Sequence, residues 1–470
     1  MQRNNIFIYL FLSLAAVFAI YCFNPFALWF QNDDFVHIAL SANGVLLQHN
    51  TFRPVCDISI MLDYKLWGDN AYGYHTTNLL LHIAVSVALF FLQKQLLKKY
   101  FPQVRNAKLF AYITAVLFFI YASHSEAVFW ILGRSAALGA LFSILFFIYW
   151  LNKESSPKYV AAYIFFFLLG LLSYESSWVL PAIIVILAVL KKEKWKHALI
   201  VFGIFLLYLL VRFYFIHEVA GEYEASKLLC GDIAGLAKNY FIILLRSVLP
   251  AYDNTVFFIA SIVVIAGFAV AYFTCSSKSS IILLKVFLLL SCIPVASLGV
   301  DSHGTEGERF LYLPSVIVCI MFVNIIALSD KQKMLRYFLL FAFAAIQVSV
   351  LFVNAGNYQL AGIVCRLTIE QIQQVKNKST IYISGLPQAQ HGALIFRDGL
   401  HEAVQWLAPE QKDRSIIVCT QRSETAALQK YYSVISADSI EITECKGADP
   451  EQELNTVVFK FTNSALVVTK

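Results

Sequence analysis

The chain has 470 residues, of which 59% are hydrophobic and only 14% charged, with a formal net charge of +6. A soluble domain is nearer a quarter charged, so this composition excludes an ordinary soluble enzyme and implies an α-helical polytopic membrane protein. The basic residues cluster in short loops between apolar runs, which marks topology, and no nucleic-acid partner is expected.

A membrane-crossing helix needs about 20 apolar residues. Eleven runs approach or reach that length, near 6–23, 76–93, 108–122, 135–151, 159–173, 177–190, 197–215, 255–274, 280–298, 310–328 and 335–353. Those at 159–173 and 177–190 are short. The first follows Arg3 and lacks a small-x-small cleavage site, so it reads as a retained anchor.

Residues 24–75, between the first two runs, carry a dense polar cluster. Asp33 and Asp34 are adjacent, and Arg53, Asp57, Asp63, Asp69 and His75 follow. Ionisable groups at a membrane boundary are costly to desolvate and tend to mark function. A solvated loop with surface charge is the plain alternative. The apolar spacing of Phe35, Ile38 and Ala39, and of Ile58, Leu62 and Leu66, predicts short amphipathic helices lying along the bilayer surface. This first loop reads as the floor of an active site.

The loops sort by charge. Lys94, Lys98, Lys99, Arg105 and Lys108 lie in one, and Lys153 and Lys158 in the next alternate loop. Lys191, Lys192, Lys194 and Lys196 follow, then Lys278, then Lys331, Lys333 and Arg336. If eleven spans alternate, all these fall on one side, which the positive-inside rule makes cytoplasmic together with the N-terminus. The other side then holds Asn32–Tyr74, His124–Arg134, Tyr174–Ser177, His217–Asn254, Val300–Arg309 and everything after Asn354.

Each outer cluster has a structural and a chemical reading. SHSEAVFWILGRS carries His124, Glu126 and Arg134; an interfacial helix with Phe129 and Trp130 in the aromatic belt explains the rings but not the acid and base. SYESSW puts Glu175 at the membrane surface, where it could equally cap a helix. Residues 221–250, with Glu222, Glu224, Lys227, Asp232, Lys238 and Arg246, fit a surface-lying helix. VDSHGTEGERFLYLPS crowds Asp301, His303, Glu306, Glu308 and Arg309 into a glycine-containing loop. A guanidinium there can grip a phosphate bidentately, whereas pairing with Glu308 or snorkelling would make it structural.

His37, His75, His124 and His303 are the candidates to share a divalent metal with nearby acids, although no HExxH or CxxC spacing occurs. Cys419 and Cys445 could pair in an oxidising compartment. No Walker motif, Rossmann fingerprint or internal repeat is evident, which argues against an ATP-driven pump. Two domains are expected: 1–353, the membrane part, and 354–470. In the second, a helix near Leu360–Val375 precedes strand-like STIYISGLP, RSIIVCT, NTVVFKFTN and ALVVTK, with a turn and helix in HGALIFRDGLHEAVQWL. That pattern predicts a small α/β domain without a catalytic constellation of its own.

NDDF, the FRPV…LDYKLWGDNAYGYHTTNLLLH run, HSEAVFWILGRS, SYESS and ERFLYLPS together resemble membrane glycosyltransferases of the GT-C superfamily. Among these the chain looks most like bacterial relatives of the transmembrane O-mannosyltransferases that carry tetratricopeptide repeats. The motifs span roughly residues 31–315 in the family's order. Two departures stand out: no tetratricopeptide array follows, and SYESS lacks the lysine that often precedes the glutamate.

The resemblance implies an integral enzyme of a bacterial inner membrane that takes a polyprenyl-phosphate sugar as donor. Its lipid tail would lie in a groove between helices, and its acceptor would be a protein, a glycolipid or a polysaccharide. By motif position Asp33 or Asp34 would be the general base of an inverting displacement, with Asp33 favoured. Arg309, with Arg53 or His303, would bind the phosphate, and Glu126, Arg134, Glu175 and His75 would line the substrate site. No cofactor is implied beyond a divalent metal that the acid beside the base would orient. A transporter of lipid-linked saccharides, using the same loops as a vestibule, is the reading from another class. Such proteins tend to keep charges mid-span, whereas here Arg212 and Lys285 are the main exceptions to charges at helix ends.

Overall fold

The structure, a computed structural model, describes residues 3–46, 52–154, 156–190, 195–217, 232–253, 255–273, 278–328, 333–375, 380–384, 386–396, 399–411, 415–421, 430–435, 440–444, 456–462 and 465–468. Lys191, Lys192, Lys194, Glu222, Glu224, Lys227, Cys230, Lys331 and Cys445 lie outside them, so the Cys419–Cys445 pairing has no structural description. Chain contacts divide the protein into two units. The first is Met1–Pro25, Leu46–Ser59 and Tyr74–Ala355; the second is Phe26–Val45, Ile60–Gly73 and Gly356–Lys470.

The helices in chain order are α1 (Arg3–Cys22), α2 (Asp34–Ala42), α3 (Pro54–Trp67), α4 (Ala71–Tyr100), α5 (Ala107–Phe119), α6 (Ser125–Phe129), α7 (Arg134–Trp150) and α8 (Pro157–Leu171). They continue with α9 (Leu180–Leu190), α10 (Trp195–Ile216), α11 (Ile233–Arg246), α12 (Thr255–Phe273), α13 (Lys278–Ser291), α14 (Tyr312–Leu328), α15 (Lys333–Gln374) and α16 (Leu400–Leu407). Each of the eleven apolar runs is centred on a helix. Among the described residues seven helices are long and apolar enough to cross a membrane, or eight if the bent pair α5–α6 is one span. The apolar helices Pro157–Leu171, Glu175–Leu190 and Ile282–Val295 are shorter. The chain is a polytopic α-helical membrane protein.

Local chemistry explains several boundaries. Proline opens α3 and α8, where its missing N–H costs nothing and its fixed φ suits a first turn. Asp232 caps α11 by accepting the Gly235 N–H at 2.8 Å. Burial also grades the helices. Helix α14 is buried along nearly its whole length, whereas α10 leaves Leu199, Leu206 and Leu210 exposed, as a lipid-facing helix must. Residues 122–129 do not form the exposed interfacial helix considered from the sequence. They bend by 58° from α5 and bury His124, Glu126 and Phe129.

The predicted short helices of the first loop are present as α2 and α3. Helix α15 differs from expectation. The eleventh run and the helix near Leu360–Val375 are one continuous helix of 42 residues, because no proline interrupts it. Its glycines are tolerated at about 1 kcal/mol each relative to alanine.

In the second unit β1 (Thr380–Ser384), β4 (Ser415–Gln421), β5 (Lys430–Ile435), β6 (Ile440–Glu444), β7 (Thr456–Thr462) and β8 (Ala465–Val468) form a sheet ordered β6-β5-β4-β1-β7-β8. Strand β1 runs parallel to β4 and β7, with Ile381 between Ile416 and Val457, and the outer pairs are antiparallel. A short hairpin, β2 (Ala389–Gln390) and β3 (Ala393–Leu394), precedes α16.

Candidate active site

Gly307, at φ +84°, turns the chain into the 3₁₀ turn Glu308–Leu311 that leads into α14. A side chain there would meet the Gly299 carbonyl oxygen at 2.9 Å, so the loop closes on glycine. The turn presents Arg309 to Glu126 of α6. One Glu126 oxygen accepts the Arg309 backbone N–H at 2.8 Å, and the other accepts its Nη1. Glu126 thus holds both the main chain and the side chain of Arg309. The guanidinium also lies 4.9 Å from the Trp130 ring and 4.5 Å from that of Phe310.

A second acid–base cluster forms where the segment entering α3 meets the turn Glu175–Val179. The Val55 N–H donates to the Leu172 carbonyl at 3.1 Å and fixes Arg53 beside Glu175. Arg53 donates Nε and Nη2 to Glu175 Oε2 at 2.9 and 2.8 Å, while Arg212 of α10 donates Nη1 to Oε1 at 3.1 Å. Burial opposes ionisation of Glu175, but Arg53 and Arg212 outweigh it and hold the carboxyl below its usual range. Burial likewise pushes the Arg53 guanidinium down, yet Glu175 raises it further, so it stays charged.

The two clusters are joined by stacked rings. Tyr174 lies parallel to Phe310, with centroids 6.5 Å apart and planes 10° apart, and Arg53 sits 4.7 Å from the other ring, Tyr174. The result is a column of Arg53, Tyr174, Phe310 and Arg309. It requires Gly139 of α7, where a Cβ would come within 2.8 Å of the Tyr174 Cβ. Tyr174 is only 2% exposed, and its hydroxyl has no hydrogen-bond partner among the described residues. Burial raises its pKa against the lowering pull of Arg309 and Arg53, so it remains a neutral donor.

An apolar cavity of about 150 Å³ lies among the helices. Its wall includes Leu92, Ile144, Ile183, Phe287, Val316 and Ile320, from α4, α7, α9, α13 and α14. Its wall also includes Val179, on the turn that carries Glu175, and Leu180 and Leu313, at the starts of α9 and α14, the helices that follow the turns carrying Glu175 and Arg309. It extends along α14 to Asn324, which accepts from Gln93 at 2.7 Å. Eleven residues of helix separate Leu313 from Asn324, about 16 Å at 1.5 Å per residue.

The remaining sequence candidates take different places. Arg134 is fully buried and donates to the Ile131 and Tyr74 carbonyls and to Ser59 Oγ, at 3.1–3.2 Å. His75 is buried in the first turn of α4. His303 is exposed, 3.0 Å from Asp253 and edge-on to Tyr252. Glu308 pairs with Arg246 at 2.6 Å, not with Arg309. Asp33 and Asp34 belong to the second unit. Asp33 is half-buried at the start of α2 and accepts from Asn32 Nδ2 at 2.8 Å. Asp34 is fully buried, with Oδ2 accepting the Gln31 N–H at 3.1 Å. Asn32 holds the positive φ of 55° that turns the chain there. Among the described residues no three His, Cys, Asp or Glu side chains are grouped to share a metal, so His37, His75, His124 and His303 do not converge.

Sequence reasoning missed Tyr174, whose place beside Glu175 reads as aromatic belt, and it gave Arg212 no role. An arginine inside an apolar run is costly unless paired, so its missing partner was the available signal for Arg212.

The sequence is similar to protein O-mannosyl-transferases. It is 34% identical over 100 residues to TMTC1 of Mus musculus, covering 21% of this chain and 10% of that protein. It is 29% identical over 138 residues to F38B6.6 of Caenorhabditis elegans, covering 29% of this chain and 19% of the relative. To Tmtc1 of Drosophila melanogaster it is 25% identical over 209 residues, 44% of this chain and 20% of the relative. The matches therefore span at most a fifth of these relatives' own length. They bear out the resemblance carried by the motifs. No family model matches the chain. Among solved structures, ArnT from Cupriavidus metallidurans, bound to undecaprenyl phosphate, superposes with a TM-score of 0.46 and 11% identity, over 88% of this chain and 93% of that one.

Proposed function

We propose that this protein transfers a sugar from a polyprenyl-phosphate-linked donor to an acceptor at the outer face of the membrane, with inversion and an aspartate base. The observation that carries this reading is the arginine–aromatic column on the turns that lead into α9 and α14, the helices whose first residues line the apolar cavity. An isoprenoid chain suits the cavity, and a phosphate at its head would meet guanidiniums, whose planar fork matches its oxygens. Asp33 serves as base in this reading, being the less buried of the two acids. The relatives' names supply mannose and a protein hydroxyl as the first donor sugar and acceptor to test.

Purified protein incubated with a panel of polyprenyl-phosphate sugars should release polyprenyl phosphate when an acceptor is present. Arg309→Ala should lower kcat/KM by about 10²–10³-fold, the usual cost of removing one charge-stabilising donor, and Arg309→Lys should restore only part of it. Unchanged donor kinetics in a folded Arg309→Ala protein would leave that residue a structural anchor. Movement of lipid-linked sugar across vesicles without any turnover would favour a transporter.

The topology belongs to the same proposal: basic loops and N-terminus cytoplasmic, first loop and residues 354–470 outside, in a bacterial inner membrane. With Cys419 and Cys445 replaced, a cysteine at His303 should react with an impermeant thiol reagent in intact spheroplasts. A cysteine at Lys98 should react only after permeabilisation. The reverse pattern would place the proposed site on the wrong face.

A further inference from the structure

Resting on the donor reading above, we infer that the Tyr174 hydroxyl and the Arg53 guanidinium together form the contact for the phosphate of the lipid-linked donor. A buried hydroxyl without a partner is costly, and native structures seldom leave one without a reason. Tyr174 is such a group: its ring is fixed between Arg53 and Phe310, and the hydroxyl finds no acceptor among the described residues. A phosphate oxygen is the complementary acceptor.

The ion pairs favour Arg53 as the guanidinium that leaves its carboxylate for the phosphate, while Arg309 stays on Glu126 and contributes its charge from there. Glu126 has Arg309 as its salt-bridge partner, so moving Arg309 away would strand a buried carboxylate, a costly state. Glu175 is held by two arginines. When Arg53 swings from Glu175 to a phosphate, Arg212 still holds Oε1 at 3.1 Å and no acid is abandoned. Arg53 is also the better placed to move, with its side chain 26% exposed against 2% for Arg212. The phosphate takes over the carboxylate's place on Arg53, and Tyr174 gains the bond it lacks. The apolar cavity, whose wall includes Val179 four residues beyond Glu175, offers room for a lipid tail and so favours a membrane phosphate over a free one.

The test is equilibrium binding to the full chain in nanodiscs, with polyprenyl phosphate, the corresponding polyprenol and inorganic phosphate as probes. Tyr174→Phe keeps the ring stack and removes only the hydroxyl. It should weaken polyprenyl phosphate binding by about 10–100-fold, the range for a hydrogen bond to a charged group. Polyprenol binding should stay unchanged, and Tm should hold or rise because no orphan hydroxyl remains. Unchanged polyprenyl phosphate affinity in Tyr174→Phe would overturn the inference, as would an equal loss with polyprenol or a marked fall in Tm. Inorganic phosphate bound as tightly as the lipid would overturn the membrane source. Wild-type protein that does not distinguish polyprenyl phosphate from polyprenol would instead defeat the donor reading, and this contact with it.

Discussion

Asp33→Asn should reduce sugar transfer by about 10²–10⁴-fold, the usual contribution of a general base, while the protein still inserts and binds donor. The substitution keeps the shape and hydrogen-bonding capacity of the side chain and removes only its basicity. Asp33 accepts from Asn32 at 2.8 Å, and an asparagine oxygen can take the same bond, so stability should change little. Asp34→Asn tests the neighbour. Asp34 is fully buried and accepts the Gln31 N–H at 3.1 Å, so its substitution should act more on stability than on turnover. Single-turnover assays of both variants, each checked for folding, separate these outcomes. Wild-type rates in both would move the proton chemistry elsewhere.

Arg246→Ala should destabilise the protein by about 3–5 kcal/mol, the cost of breaking a buried ion pair from one side. Arg246 pairs with Glu308 at 2.6 Å, with the two side chains 4% and 2% exposed. It also donates to the Asp301, Leu249 and Gly304 carbonyls at 3.0–3.1 Å. The variant would strand one buried carboxylate and three carbonyls together. Removing the acid as well, in Arg246→Met with Glu308→Leu, should recover part of the loss, since the carbonyls remain unserved. Because Glu308 adjoins Arg309, transfer activity should fall along with stability. Denaturant unfolding in detergent measures the effect. A midpoint equal to wild type would mean that the 301–308 loop is held by something else.

The helices were legible because hydrophobicity is a local property. A run such as 310–328 announces α14 without knowledge of its neighbours. Strand patterns likewise announced β1, β4, β7 and β8, whereas polar interruptions concealed β5 and β6. Pairing was not local. Glu126 and Arg309 stand 183 residues apart, and the sequence instead offered Glu308, next door, as the partner. Adjacent residues on a turn point in different directions, so Glu308 turns to Arg246 and Arg309 to Glu126. The aromatic column was hidden for the same reason. Tyr174 and Phe310 come from distant turns, and nothing in either segment signals that the rings lie parallel. The continuous α15 was cut in two because hydropathy falls near Asn354, and a fall in hydropathy does not end a helix.

The sharing of Glu175 by two guanidiniums fixes the charge parity of the column. Among the described residues these ion pairs set three guanidiniums, Arg53, Arg212 and Arg309, against two carboxylates, Glu126 and Glu175. On the donor reading, a phosphodiester brings one negative charge and evens that count. A pyrophosphate diester brings two and exceeds it by one, at a desolvation cost of several kcal/mol. Discrimination between mono- and diphosphate-linked sugars would then arise from the number of arginines around one glutamate, before any hydroxyl of the sugar is read.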